Sequence, residues 1–114
     1  MSAMAYDQEL ARRLREQLAA EDALTEKPMF GGLAFLVHGN MAISASGQGG
    51  LLVRVDPGAT DALAKDPHVE VAVMRGREMP GWMRVDAAGV TTTAQLKTWV
   101  RRSVAYARSL PPKR

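Results

Sequence analysis

The chain has 114 residues, of which 15 are Lys or Arg and 12 are Asp or Glu, so its formal net charge is +3. Its length fits one domain with a core of its own, its apolar content of 46% excludes a natively disordered chain, and no apolar run approaches the ~20 residues of a membrane span. The absence of cysteine excludes disulfides, thiol catalysis and thiolate metal sites. Because the first residues also lack a signal-peptide pattern, we expect a cytoplasmic protein that contacts no membrane.

The first predicted element is an amphipathic helix over residues 7–23. Asp7 is suited to its N-cap, because the carboxylate can accept from the first free backbone amides of a helix. Leucines then recur at helical spacing, at positions 10, 14 and 18. Pro28 marks the change of state, since a proline disfavours helical backbone in the residue before it.

Three strands joined by glycine-containing turns follow this helix. The apolar residues now alternate with the period of two that is typical of strands, and short turns between neighbouring strands favour antiparallel pairing. In chain order the predicted segments are a strand from residue 29 to Val37, the turn Gly39-Asn40, a strand over 41–45, a turn over 47–50 and a strand over 51–55.

The second half of the chain is predicted to hold two more strands between two helices. Asp56-Pro57 is typical of a helix start, and Thr92 or Thr93 can cap the last helix, which ends before Pro111-Pro112. In chain order the segments are a short helix through Leu63, a strand carrying Val69, Val71 and Val73, a loop over 75–81, a strand over 82–86, and a last helix with Leu96, Trp99, Val100, Ser103, Val104 and Ala107 on one stripe.

The element order α-β-β-β-α-β-β-α predicts the α+β class, as a two-layer sandwich with a five-stranded antiparallel sheet. We expect one domain over residues 1–114, with flexible ends at about 1–5 and 111–114. The predicted core face comprises Leu33, Phe35, Val37, Ile43, Val53, Val55, Val69, Val71, Val73, Met83 and Val85. The other face is semi-polar, and it is either solvated or pairs with a second subunit as a homodimer; it carries Ala34, Leu36, Ala42, Ser44, Leu52, Arg54, Glu70 and Ala72.

The residues that carry enzyme chemistry are not arranged in a recognisable constellation. His38 and His68 lack a second ligand at metal-binding spacing and are interpreted as surface or turn histidines. The serines have no nucleophile-elbow context, and the glycines of 47–50 precede a strand, whereas a phosphate loop precedes a helix. We therefore predict no catalytic residues, no metal and no cofactor.

Charge is distributed unevenly along the sequence. Residues 75–114 hold nine basic and two acidic groups, whereas residues 1–74 hold six basic and ten acidic groups. An asymmetry of this kind can steer the basic part toward nucleic acid or an acidic protein surface. The simpler interpretation is a solvated cationic helix face that complements the helix dipole.

Two segments of the basic part are candidate binding surfaces. In the predicted loop, Arg75 and Arg77 can grip a phosphate or carboxylate, and Trp82 can stack on a base or anchor a protein contact; alternatively, this loop is an apolar lid over the core. On the last helix, the spacing of Lys97, Arg101 and Arg108 predicts one basic face that can follow a phosphate backbone. Arg102 lies about 100° around the helix from that face.

Several motifs resemble the N-terminal domain of the TfoX/Sxy family. They are Met29-Phe30-Gly31-Gly32, Gly39-Asn40-Met41, Leu52-Val53-Arg54-Val55-Asp56, Gly76-Arg77-Glu78-Met79-Pro80-Gly81-Trp82, Trp99-Val100, Ala105-Tyr106-Ala107 and Leu110-Pro111. The resemblance implies the same α+β arrangement and no catalytic residues. Full-length members regulate bacterial competence genes together with the transcription machinery at promoters, and they carry a second, C-terminal domain. The resemblance therefore implies a stand-alone N-terminal domain here, which leaves a role in competence open.

The leading hypothesis is a non-enzymatic regulatory or interaction module that binds a protein of the transcription machinery or DNA. Its predicted contact residues are Arg54, Arg75, Arg77, Trp82, Lys97, Arg101, Arg102 and Arg108. The alternative is a small-ligand-binding domain or an uncharacterised enzyme with a pocket near the 75–82 segment, lined by Met79, Trp82 and Arg54.

Overall fold

The computed structural model describes residues 6–29 and 31–113. Within them, three helices accompany one antiparallel sheet of six strands in the order β1-β2-β3-β4-β6-β5. The elements are α1 (Gln8–Leu18), β1 (Leu24–Met29), β2 (Gly32–Val37), β3 (Asn40–Ala45), β4 (Leu51–Arg54), α2 (Thr60–Leu63), β5 (Val69–Met74), β6 (Arg77–Val85) and α3 (Thr93–Ser109), with short 3-10 turns at Pro57–Ala59 and Ala87–Val90.

The α+β class is confirmed, but the prediction of five strands is wrong. The helix predicted over residues 7–23 ends at Leu18, and the residues after it turn back through Ala23, which has a φ of 57°, into β1. This additional strand pairs with β2 along its whole length, from Leu24 opposite Val37 to Met29 opposite Gly32. β1 is a largely exposed edge strand, which explains both its weak apolar alternation and its tolerance of Pro28.

Two tight hairpin turns are the second difference from the sequence prediction. The turn between β2 and β3 is His38-Gly39, one residue earlier than predicted, and both residues have positive φ angles of 51° and 79°. Arg75-Gly76 makes the same kind of turn between β5 and β6, with φ angles of 55° and 76°. Positive φ at both central residues is the geometry that joins twisted antiparallel strands most directly. The loop predicted over 75–81 is therefore wrong, because β6 already begins at Arg77.

The main core lies between one face of the sheet and the two long helices. Asp7 caps α1 by accepting from the amides of Glu9 and Leu10 at 2.9 and 3.1 Å, and the three leucines of α1 are buried. Most predicted core residues are buried in this cluster. Val73 is not, because the pairing of β5 with β6 shifts register between Val71 and Val73 and the side chain is 54% exposed.

The opposite sheet face is more apolar than predicted. Ala34, Met41, Leu52 and Ala72 are buried there as a second cluster, against which Met29, Leu36, Met74 and Trp82 pack. Ala42 belongs instead to the main core, since the register of β2 and β3 shifts after Phe35. A homodimer formed through this face stays a prediction.

The ends of the chain were predicted to be flexible. Residues 1–5 and Arg114 lie outside the described residues. Close to the C-terminus, the Asn40 side chain donates to the Pro111 carbonyl at 2.9 Å, and the Lys113 amide donates to the His38 carbonyl at 2.7 Å. These bonds hold the segment after α3 against the β2–β3 turn. In the described part of the chain, no helix has the length and apolar character needed to cross a bilayer.

Candidate functional site

The rotation of α3 about its own axis decides where the predicted basic residues lie. A capping box fixes its first turn: the Gln95 amide donates to Thr92 Oγ1 at 3.1 Å, and the Thr92 amide donates to Gln95 Oε1 at 3.0 Å. Thr92 is therefore the cap, and Thr93 is the first helical residue. The predicted apolar stripe of α3 is buried, so the basic residues are placed on its two flanks.

One flank of α3 forms a groove with α1, which we call the α1/α3 groove. It has a volume of about 370 Å³. Its walls combine aliphatic side chains with a cationic border, and its lining residues are Gln17, Glu21, Lys97, Val100, Arg101, Val104, Ala105 and Arg108. The structure thus brings together Lys97, Arg101 and Arg108, as their spacing predicts.

The three cations of the groove are not equivalent. Arg108 donates from Nη2 to Glu21 Oε1 at 2.8 Å and to the Asp22 carbonyl at 3.2 Å, which ties the end of α3 to the segment after α1. Lys97 and Arg101 are exposed, and neither has an ion-pair partner among the described residues. The free positive charge of the groove therefore comes from these two side chains.

Arg54 and Trp82 lie together, but in a structural contact rather than at a pocket. The guanidinium carbon of Arg54 is 5.1 Å from the centroid of the Trp82 ring and 5.6 Å from that of Tyr106 on α3. A cation at these distances is attracted by the faces of both rings. Arg54 thus links β6 to α3. Met79, Trp82 and Arg54 line neither the α1/α3 groove nor the cavity around His68.

The remaining predicted contact residues lie elsewhere on the surface. Arg102 covers the ring of Trp99, with its guanidinium carbon 4.9 Å from the ring centroid, on the flank of α3 that faces away from the groove. Arg75 and Arg77 are exposed at the tip of the β5–β6 hairpin, at one end of the strand order. The predicted contact residues therefore form four separate groups rather than one surface.

Sequence reasoning missed a polar cavity at the other end of the β5–β6 hairpin, which we call the His68 cavity. It has a volume of about 250 Å³, and it is lined by Gln48, Gly49, Pro67, His68, Val69, Glu70, Arg84, Val85 and Asp86. His68 Nδ1 lies 3.0 Å from Asp86 Oδ1. Residues 68 and 86 lie side by side because β5 pairs with β6. The sequence favours this pairing but does not reveal its register, which shifts between Val71 and Val73.

Two exposed ion pairs of α1 shift the pKa values of their carboxylates. The Arg15 guanidinium donates from Nε to Glu26 Oε2 at 2.7 Å, and this hydrogen bond lowers the pKa of Glu26 below its ordinary value. Likewise, Arg12 lowers the pKa of Glu9 through a side-chain hydrogen bond. Among residues 6–29 and 31–113, no group of three or more acidic or histidine side chains is positioned to hold a metal ion.

Comparison with known proteins gives one match. The family model of the TfoX N-terminal domain matches residues 16–107, from the last turn of α1 to the last turn of α3. No curated protein and no solved structure matches the chain. The family match confirms the resemblance that the sequence motifs predicted, and it spans all six strands and most of α3.

Proposed function

Because the chain belongs to the TfoX N-terminal domain family, we propose that it is a non-enzymatic regulatory module that acts by binding a macromolecular partner. The proposed contact is the α1/α3 groove, and the proposed partner is an acidic surface of a protein of the transcription machinery. The observation that carries this proposal is the combination, in one groove, of an aliphatic wall with exposed cations.

The composition of the groove favours a protein segment over a DNA backbone. Val100 and Val104 line the groove together with the small side chain of Ala105, and apolar walls of this kind accept side chains of a partner helix or strand. A phosphate backbone would instead gain from a continuous row of cations. Here Glu21 interrupts the row, since its carboxylate lies in the groove and is bound to Arg108.

The two free cations would set the specificity and the association rate of this contact. Exposed rim charges contribute little to affinity when taken singly, but they steer an oppositely charged partner and make binding salt-dependent. Lys97 and Arg101 are four residues apart and therefore adjacent on one helix face. A partner with two carboxylates at the edge of an apolar patch would match them.

The test measures binding of the full chain to purified bacterial RNA polymerase and, separately, to a labelled DNA duplex. The double variant K97E/R101E reverses the free charge of the groove, and we expect it to weaken polymerase binding by about tenfold or more at low salt. The matched control R75E/R77E changes the net charge by the same amount at the hairpin tip, and we expect it to keep wild-type affinity. Equal weakening by both variants would contradict a localised groove contact.

A third variant separates a protein partner from DNA. Ala105 is exposed within the groove, and Ala105→Arg adds positive charge while it fills the space between the helices. The added bulk should weaken a docked protein segment, whereas the added charge should strengthen binding to phosphates. If the chain binds the duplex more tightly than polymerase, and A105R tightens duplex binding further, the assignment of a protein partner is overturned in favour of nucleic acid. Absence of binding to both at low salt would overturn the proposal itself.

A further inference from the structure

The His68 cavity lies on the sheet edge remote from the hairpin tip, where the chain enters β5 and leaves β6. Three segments contribute to it: the turn before β4, the start of β5 and the end of β6. None of its lining residues belongs to the α1/α3 groove. Its role is therefore independent of the function proposed above.

The imidazole of His68 is held in a defined orientation. On the backbone, the His68 amide donates to Asp66 Oδ1 at 2.9 Å, and its carbonyl accepts from the Asp86 amide at 2.9 Å. The ring nitrogen Nδ1 lies 3.0 Å from Asp86 Oδ1. Gly89 packs directly beneath, since a Cβ at that position would lie 2.9 Å from the Cβ of His68. Because Asp86 occupies Nδ1, the nitrogen left for a ligand is Nε2.

Arg84 is the second cationic group of the cavity, and it too is anchored. Its Nη1 donates to Ser46 Oγ at 3.2 Å, and the same hydroxyl oxygen accepts from the Gln48 amide at 3.1 Å. The hydroxyl is buried, so it fixes one arm of the guanidinium fork. Among the described residues no carboxylate pairs with Arg84, which leaves its other N–H donors for a bound anion.

Glu70 is the unusual member of the lining. It is the direct cross-strand neighbour of Arg84, a position at which opposite charges normally pair. Here the guanidinium is held by Ser46 instead, and in the described part of the chain the Glu70 carboxylate has no ion-pair partner. One cavity thus contains a cation and a carboxylate that are adjacent in the sheet but not bonded to each other.

We propose that the His68 cavity binds a small zwitterion of the α-amino-acid type. The ligand carboxylate is held by the free arm of Arg84 and by Nε2 of His68, and the ligand ammonium is held by Glu70. In that arrangement Asp86 Oδ1 and the ligand carboxylate lie at the two opposite ring nitrogens of His68. A simple anion would leave Glu70 unpaired and would be repelled by it.

The size of the cavity restricts the ligand further. Cavities for drug-sized ligands start at about 300 Å³, and this one has about 250 Å³. A free amino acid therefore matches this volume better than a nucleotide or a folded peptide segment does. Binding of this kind would make the domain responsive to a metabolite.

The experiment is a titration of the full chain followed by NMR of the His68 ring nitrogens and the Arg84 Nε–H. The probes are L-alanine and L-glutamine. Acetate, methylammonium and inorganic phosphate are controls that carry charge of only one sign. We expect saturable shifts with the amino acids at a Kd of about 1 mM or tighter. Acetate and methylammonium should bind at least about tenfold more weakly.

Two cavity variants and one distant control assign the contacts. Glu70→Gln should weaken amino-acid binding by about fivefold or more and leave acetate binding unchanged or improved, since it removes only the partner of the ammonium. Arg84→Lys keeps the charge but removes the guanidinium fork, and it should weaken both amino-acid binding and acetate binding. Lys27→Gln, on the exposed edge strand β1, should change neither amino-acid nor acetate binding.

Three outcomes would overturn the proposal. The first is wild-type binding of acetate or phosphate that equals or exceeds amino-acid binding, which would identify a plain anion site. The second is unchanged amino-acid affinity in Glu70→Gln. The third is the absence of any saturable shift, with circular dichroism confirming that the protein is folded. None of these outcomes depends on the binding of polymerase or DNA.

Discussion

At the scale of single residues, two adjacent glycines before β4 play different roles. Gly50 has a φ of 65°, and a Cβ built on it would lie 2.0 Å from the Val85 carbonyl oxygen. Gly49 has a φ of 91°, but a Cβ there would meet nothing within 4 Å. One glycine is thus required both by conformation and by close approach of β6, and the other by conformation alone.

This difference predicts unequal costs for two alanine substitutions. Gly49→Ala should lower the free energy of unfolding by about 1–2 kcal/mol, the strain of a left-handed residue. Gly50→Ala adds a backbone clash and should cost at least about 2 kcal/mol more. Urea unfolding of the two variants beside the wild type measures both. Equal costs would mean that β4 and β6 separate easily at this point.

Residue-level prediction from sequence succeeded where a side chain's environment follows from local spacing. The leucines of α1 and the cations on α3 obey a fixed helical period, so their faces follow from the sequence. Val73 and His68 do not, because their surroundings depend on where β6 pairs with β5. A register shift moves side chains to the other face, and no local signal in the sequence reveals it.

At the scale of elements, the stability of α3 depends on the cap of its first turn. The sequence allows either Thr92 or Thr93 as the cap, and only in the structure does the Thr92 hydroxyl accept from the Gln95 amide at 3.1 Å. Thr92→Ala should therefore lower the free energy of unfolding by about 1 kcal/mol. Thr93→Ala is the matched control and should change it by less than about half as much. Thermal or urea unfolding would contradict the assignment if Thr93→Ala were the costlier change.

Elements with strong periodicity were predicted, and elements shaped by their partners were not. The buried strands β2, β3 and β4 alternate clearly and are bordered by glycines, so both their existence and approximate limits were predictable. β1 is an exposed edge strand whose pairing partner supplies its order. Two glycines and a proline within residues 75–81 predict a loop there, whereas in the structure Arg75-Gly76 completes the turn and β6 begins at Arg77.

At the scale of the whole molecule, the fold divides the positive charge of the C-terminal half. Arg108 is neutralised by Glu21 and Arg84 is bound to Ser46, while Arg102 lies over Trp99. Two exposed pairs, Lys97 with Arg101 in the α1/α3 groove and Arg75 with Arg77 at the hairpin tip, have no ion-pair partner among the described residues. The charge asymmetry of the sequence therefore includes two separate exposed cationic pairs, which is why the matched variants proposed above can distinguish them.

The contact between α1 and β1 predicts how stability responds to acid. The Arg15 hydrogen bond lowers the pKa of Glu26 below its ordinary value of 4.5. A depressed pKa in the folded state means that the ion pair stabilises the fold above the unfolded-state value and that this contribution is lost as the pH falls through the folded-state value. Because both side chains are partly exposed, the contribution is small and sensitive to salt.

Glu26→Gln isolates this contribution. The variant should unfold at a lower urea concentration than the wild type near neutral pH, and the difference should shrink progressively below about pH 4.5, where the wild-type carboxylate takes up its proton. Arg15→Gln removes the other partner and should show the same pH-dependent loss. High salt should reduce the neutral-pH difference in both variants. A difference between wild type and Glu26→Gln that persists unchanged at about pH 3 would mean that the glutamate stabilises the edge strand through packing rather than through its charge.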